Sequence, residues 1–154
     1  MNIELKSLYD TFLQNKNNHE LFKCVELKKK YLKARNAKLP KEKRVEYLLD
    51  SLIIASAYEE RLTRMKITNK MLKSKVNNIL EKEKNLIIKK EEGFFSKRKG
   101  DQDKIIAINT ESITKFLNEI KDFIEIVDDA LEYVRSANFT IKSVLKVLRE
   151  YLED

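Results

Sequence analysis

An all-α fold is predicted by three features of this 154-residue chain. It contains only two glycines and one proline, no strand-like alternation is sustained anywhere, and one segment carries an apolar seam in alternating steps of four and three. That seam is Ile113, Leu117, Ile120, Ile124, Val127, Leu131 and Val134, and its period suits a helix packed lengthwise on another helix, as in a coiled coil. With 37% charged and 42% apolar residues, the composition predicts one structural domain of elongated helices around a thin core.

Residues 1–39 read as an N-terminal helical extension. Ile3, Leu5, Leu8, Tyr9, Phe12 and Leu13 form a stripe on a short, loosely docked first helix, which the polar run Gln14 to Asn18 ends. A second helix is predicted from about Glu20 through Leu32, with Lys28, Lys29, Lys30, Lys33 and Arg35 over its outer side. Pro40 closes that unit, because proline lacks the helix donor and restricts Leu39 before it.

Residues 40–104 read as a long basic helix and a loop. The helix is predicted from Lys41 to about Glu92, with a kink or break near Ile67 to Asn69, where charged residues crowd the stripe. Gly93 and Gly100 bracket Phe94-Phe95-Ser96-Lys97-Arg98-Lys99, and Asp101-Gln102-Asp103 follows, so this stretch is expected to be an exposed loop. Residues 105–154 read as a helical hairpin for assembly. Thr110 is expected to cap a helix ending near Ser136, Asn138 to turn the chain, Thr140 to cap a last helix with Ile141, Val144, Leu145, Leu148 and Leu152, and Phe139 to plug the turn. So short a hairpin cannot bury its seams alone, so Ile113 through Val134, Phe139, Ile141, Leu145 and Leu148 are expected to join subunits of a homo-oligomer.

Charge is divided by segment. From Arg61 to Lys104 there are 14 Lys/Arg against 6 Asp/Glu, whereas Ile105 to Asp154 holds 6 against 10; Leu21 to Asp50 adds a further block of 10 against 4. Such clusters suit polyanions, nucleic acid first and anionic lipid second, although a solvated helix surface has the same composition. Lys66, Lys70, Lys73 and Lys84 recur at helical steps and can track a phosphate backbone. In the loop, unpaired bases can stack on Phe94 or Phe95 while Lys97, Arg98 and Lys99 meet phosphates. The same residues also fit a membrane-surface loop, or two phenylalanines tucked onto a helix beneath a solvated basic triplet.

Other chemistries find little support. The one cysteine, Cys24, and the one histidine, His19, make neither a disulfide nor a Cys/His metal site, and an intracellular location is expected. No phosphate-cradling Gly-Lys-Ser/Thr, nucleophile elbow or Ser/His/Asp set is present, so no enzyme activity, catalytic residue, metal or cofactor is expected. No apolar run is long enough for a signal peptide or a membrane span, which predicts a soluble protein without membrane association.

The segment Ala130-Leu131-Glu132-Tyr133-Val134-Arg135-Ser136-Ala137-Asn138-Phe139-Thr140-Ile141-Lys142 resembles the end of the UvsY-type recombination mediators of T-even-like phages, where Ala-Leu precedes Ser-x-x-Phe-x-Ile-Lys and a short apolar helix. The likeness covers about Arg44 to Glu150. The family carries a Leu-Lys-Ala-Arg element associated with single-stranded DNA, and Leu72-Lys73-Ser74-Lys75 looks like a variant of it. This implies DNA-binding roles for Lys73 and Lys75, with the verbatim copy at Leu32-Lys33-Ala34-Arg35, too far upstream for the family order, as a second candidate. Lys75 in place of arginine keeps the charge but loses the planar fork. The extra helical region before Pro40 and the closing segment Val147 to Leu152 depart from the family pattern. The resemblance implies a non-enzymatic homo-oligomer, a ring, that binds single-stranded DNA and helps a RecA-like recombinase replace single-strand-binding protein, in the host cytoplasm if phage-encoded. The rival reading is a structural or regulatory helical protein that binds a protein partner through its amphipathic helices, its lysines serving solubility.

Overall fold

The chain after Pro40 has no glycine or proline for more than fifty residues, and it forms one helix for nearly all of that length. In a computed structural model that describes residues 3–17 and 38–153, the elements are α1 (Ile3–Lys16), α2 (Lys41–Lys90), a short 3-10 helix (Phe94–Ser96), α3 (Lys99–Asn109) and α4 (Glu111–Glu153). The described residues include no strand, and the fold is all-α. The second predicted helix, with Cys24, His19, Lys33 and Arg35, lies outside the described residues.

Helix α2 starts with the Arg44 amide donating to the Pro40 carbonyl at 3.0 Å, has Glu42 in its first turn and ends on Lys89 and Lys90, each charge suited to the helix dipole. The break expected near Ile67 to Asn69 is absent. Met65, Asn69 and Leu72 are all buried there, so the inward face continues through the charged stretch and the local crowding is on the outside.

The described residues fall into two units: residues 38–66 with 125–153, and residues 3–17 with 67–124. In the first, Leu48, Ser51, Ala55, Tyr58, Leu62 and Met65 of α2 are buried, as are Val127, Leu131, Val134, Asn138, Ile141, Leu145 and Leu148 of α4. Both sets advance in alternating threes and fours, the spacing of knobs packed into holes. Lys66 pairs with Asp128 at 2.6 Å and Arg135 with Glu59 at 3.2 Å, so rising numbers on one helix meet falling numbers on the other and the two run antiparallel. The Asn138 amide donates to Glu59 at 3.4 Å, while its own Oδ1, buried, accepts no hydrogen bond.

The expected hairpin is not formed. Helix α4 runs 43 residues without a turn, and no glycine or proline lies within it to stop it. Asn138 occupies a buried seam position, reaching sideways to Glu59 instead of entering a left-handed turn. The Thr140 and Ser143 hydroxyls donate to the Ser136 and Phe139 carbonyls one turn back, at 2.9 and 3.0 Å, a mid-helix pattern and not a cap. Phe139 plugs no turn; it is 75% exposed on the outside of α4.

In the second unit α1 is firmly docked, contrary to the expectation of a loose helix. Phe12 is fully buried, and its ring meets Phe116 and Phe123 of α4 edge-on at 5.6 and 5.7 Å, with Tyr9 against Phe116 at 5.1 Å. These phenylalanines stand beside the seam of Ile113, Leu117 and Ile120, so α4 here has two apolar faces. Ile113, Leu117, Ile120, Val127, Leu131, Val134, Ile141, Leu145 and Leu148 are all buried, and Ile124 is half-buried, within a single chain. The premise that the seams need a second subunit therefore does not hold. No helix among the described residues is long and apolar enough to cross a membrane.

Candidate nucleic-acid interface

The stretch between α2 and α3 is built by Gly93, whose backbone lies in the left-handed region at φ 68°, a conformation that only glycine takes without steric cost. This bend ends α2 and throws Phe94–Ser96 into a 3-10 turn, with the Ser96 amide on the Gly93 carbonyl and the Lys97 amide on the Phe94 carbonyl. Extended backbone at Lys97 and Arg98 then leads into α3, whose first turn is closed by the Asp101 and Gln102 amides on the Arg98 carbonyl. The expected loop is thus shorter than its sequence suggested: Lys99, Gly100 and Asp101-Gln102-Asp103 are helical. Nothing stands near the space a side chain at Gly100 would fill.

The same difference gives a stability prediction. Gly93→Ala should cost about 1–2 kcal/mol by forcing a side chain into left-handed backbone. Gly100→Ala should gain about 0.4–1 kcal/mol by removing freedom from the unfolded chain. Urea titration followed by helix signal measures both, and equal shifts for the two would refute this account of the turn.

Thr110 serves both neighbouring helices. Its hydroxyl donates to the Ile106 carbonyl at 2.7 Å, closing α3, while its carbonyl accepts the Thr114 amide at 2.9 Å at the expected start of α4, and it is the one residue that separates the two helices.

The two phenylalanines divide. Phe94 is buried, whereas Phe95, edge-on to it at 5.4 Å, is 81% exposed. Phe94 is therefore a core residue and cannot offer a face to a base. Lys97 pairs with Glu91 at 2.9 Å, and Arg98 and Lys99 are exposed. One aromatic face and two exposed cations thus stand within five residues on a hydrogen-bonded turn.

The lysines of α2 do not line one open track. Lys66, half-buried, is committed to Asp128, and its charge is spent within the chain. Lys73 is half-buried beside Leu72, while Lys70 and Lys75 are exposed. Lys73 and Lys75 are two residues apart, about 200° around the helix, so they flank the buried Leu72–Val76 line on opposite sides. Among the described residues, no group of three or more His, Cys, Asp or Glu side chains could hold a metal ion. No protein-family model, curated protein or solved structure matches the chain.

Proposed function

We propose that this protein is a non-catalytic recombination mediator that binds single-stranded DNA and helps a RecA-like recombinase replace single-strand-binding protein. The observation that carries the reading is the exposed ring of Phe95 beside Arg98 and Lys99 on a structured turn. Sequence-tolerant binding of single strands combines an aromatic face for a base with cations for the backbone. A duplex has the phosphates but hides its base faces, so the single strand is the preferred form. Lys70 and Lys75 supply further charge, and the likeness of Ala130 to Lys142 to the mediator family supplies the biological role. A homo-oligomer belongs to this reading, but it must associate through surfaces other than the internally buried seam.

Phe95→Ala should weaken binding to oligo-dT by about 1–3 kcal/mol. Replacing Arg98 and Lys99 by alanine should lower the salt slope of binding by about 0.7 for each phosphate that is no longer neutralised. The mediator role is tested by recombinase assembly on oligo-dT covered with single-strand-binding protein, which this protein should accelerate and the Phe95→Ala protein should not.

A second reading, a structural or regulatory protein that engages a protein partner, draws on Ile126, Phe139 and Val147, which are 53, 75 and 50% exposed on α4. Absence of salt-dependent oligonucleotide binding favours it.

A further inference from the structure

We infer that Gln102 is the positioning residue of the Phe95 platform, holding the turn in the form that offers its ring to an unpaired base; this rests on the function proposed above. From the first turn of α3, its side-chain amide Nε2 donates to the Phe94 carbonyl at 3.1 Å and to the Lys97 carbonyl at 3.0 Å. Those carbonyls stand on either side of Phe95 and Ser96, so one amide group spans the two residues that carry the platform.

The role needs a glutamine. A primary amide has two N–H donors on one nitrogen, which matches two acceptors; a glutamate at neutral pH has none, and a hydroxyl has one. Other ties of the turn are the Phe94 amide on the Glu91 carbonyl at 3.3 Å, the Ser96 and Lys97 amides on carbonyls inside the turn itself, and the exposed Lys97–Glu91 ion pair. Gln102 is the tie from α3, which fixes the turn relative to the helix that begins with Lys99. Phe94 is anchored by burial beneath it. Phe95, at 81% exposure, has no such anchor, and its direction follows the backbone on which it rides. A platform already ordered before binding loses less freedom when a base arrives.

The chemical class that this assigns to the site is a single unpaired base with its flanking phosphates. Gln102 acts only through Phe95, the residue that meets the base, and leaves the phosphates to Arg98 and Lys99. The test uses the full chain, titrated with fluorescein-labelled dT20 and with an abasic oligomer of the same length. Gln102→Ala should weaken dT20 binding about fivefold with the salt slope unchanged, and leave the abasic oligomer unaffected. In a Phe95→Ala background the same change should have no further effect on dT20, because neighbours that act as a unit are non-additive. Equal weakening for both oligomers, or additive losses in the double variant, overturns the positioning role while leaving the function standing. No dT20 binding by the wild type, or Phe95→Ala without effect, overturns the function and this inference with it. Gln102→Glu, which keeps length and loses both donors, should reproduce the alanine effect or exceed it; wild-type affinity for dT20 in that variant overturns the inference even if the alanine protein folds poorly.

Discussion

Leu131→Asp is expected to lower the unfolding free energy by about 3–5 kcal/mol, because it buries a carboxylate with no cation to meet it. Leu131 is 1% exposed and lies among the α2 and α4 side chains of the unit formed by residues 38–66 and 125–153. Phe139→Asp, eight residues along the same helix at a position 75% exposed, should change stability by less than about 0.5 kcal/mol. Urea denaturation of the two proteins, with light scattering on the folded samples, separates an internal seam from a shared one. A Leu131→Asp protein that stays folded and merely drops in mass would show that Leu131 joins subunits, against the packing described above.

Phe12→Ala is the second large effect, about 3–5 kcal/mol. Truncation leaves a void bounded by the Phe116 and Phe123 rings and removes two edge-on aromatic pairs, each worth about 0.5–1.5 kcal/mol beyond its buried area. Because α1 is only 14 residues long, it is marginal as an isolated helix and depends on that anchor. Amide exchange should therefore speed up across Ile3–Lys16 before the rest of the protein is affected. Ile3→Ala, at a position 87% exposed, is the control and should leave exchange unchanged.

The long helices are legible in the sequence because their signal repeats. The seam from Ile113 to Val134 is read from spacing alone, and every member is buried or half-buried. Asn138, Phe139 and Thr140 suggest a turn because asparagine and threonine favour turns and caps when judged locally. In place, Asn138 falls on the seam and finds Glu59, 79 residues away in sequence, which local propensity does not register. Phe116 and Phe123 form a second face that the seam's spacing does not reveal, although their seven-residue separation, matched to Phe12 and Tyr9 of α1, is a usable clue. In the candidate site, the sequence identifies Phe95, Arg98 and Lys99 by type. It cannot separate Phe95 from Phe94, since one bend at Gly93 decides which ring is inside. Nor can it show Lys66 neutralised by Asp128, or Gln102 reaching back over the turn, because both depend on side chains brought together only by folding.

A seven-residue repeat is blind to translation: sliding α4 along α2 by one heptad restores apolar against apolar almost everywhere, so hydrophobic burial alone cannot choose among such slips. The charges can. One slip would bring Arg135 from Glu59 to Lys66, cation against cation, and the opposite slip would bring Asp128 from Lys66 to Glu59, anion against anion. Each ion pair is partly exposed and adds little to the depth of the native minimum. Their effect is on the neighbouring minima, and it is unequal: the slip that sets Asp128 against Glu59 is raised with nothing to offset it, whereas the slip that sets Arg135 against Lys66 also brings Asp128 to Lys73, so the charges close off one misalignment of this helix pair more firmly than the other.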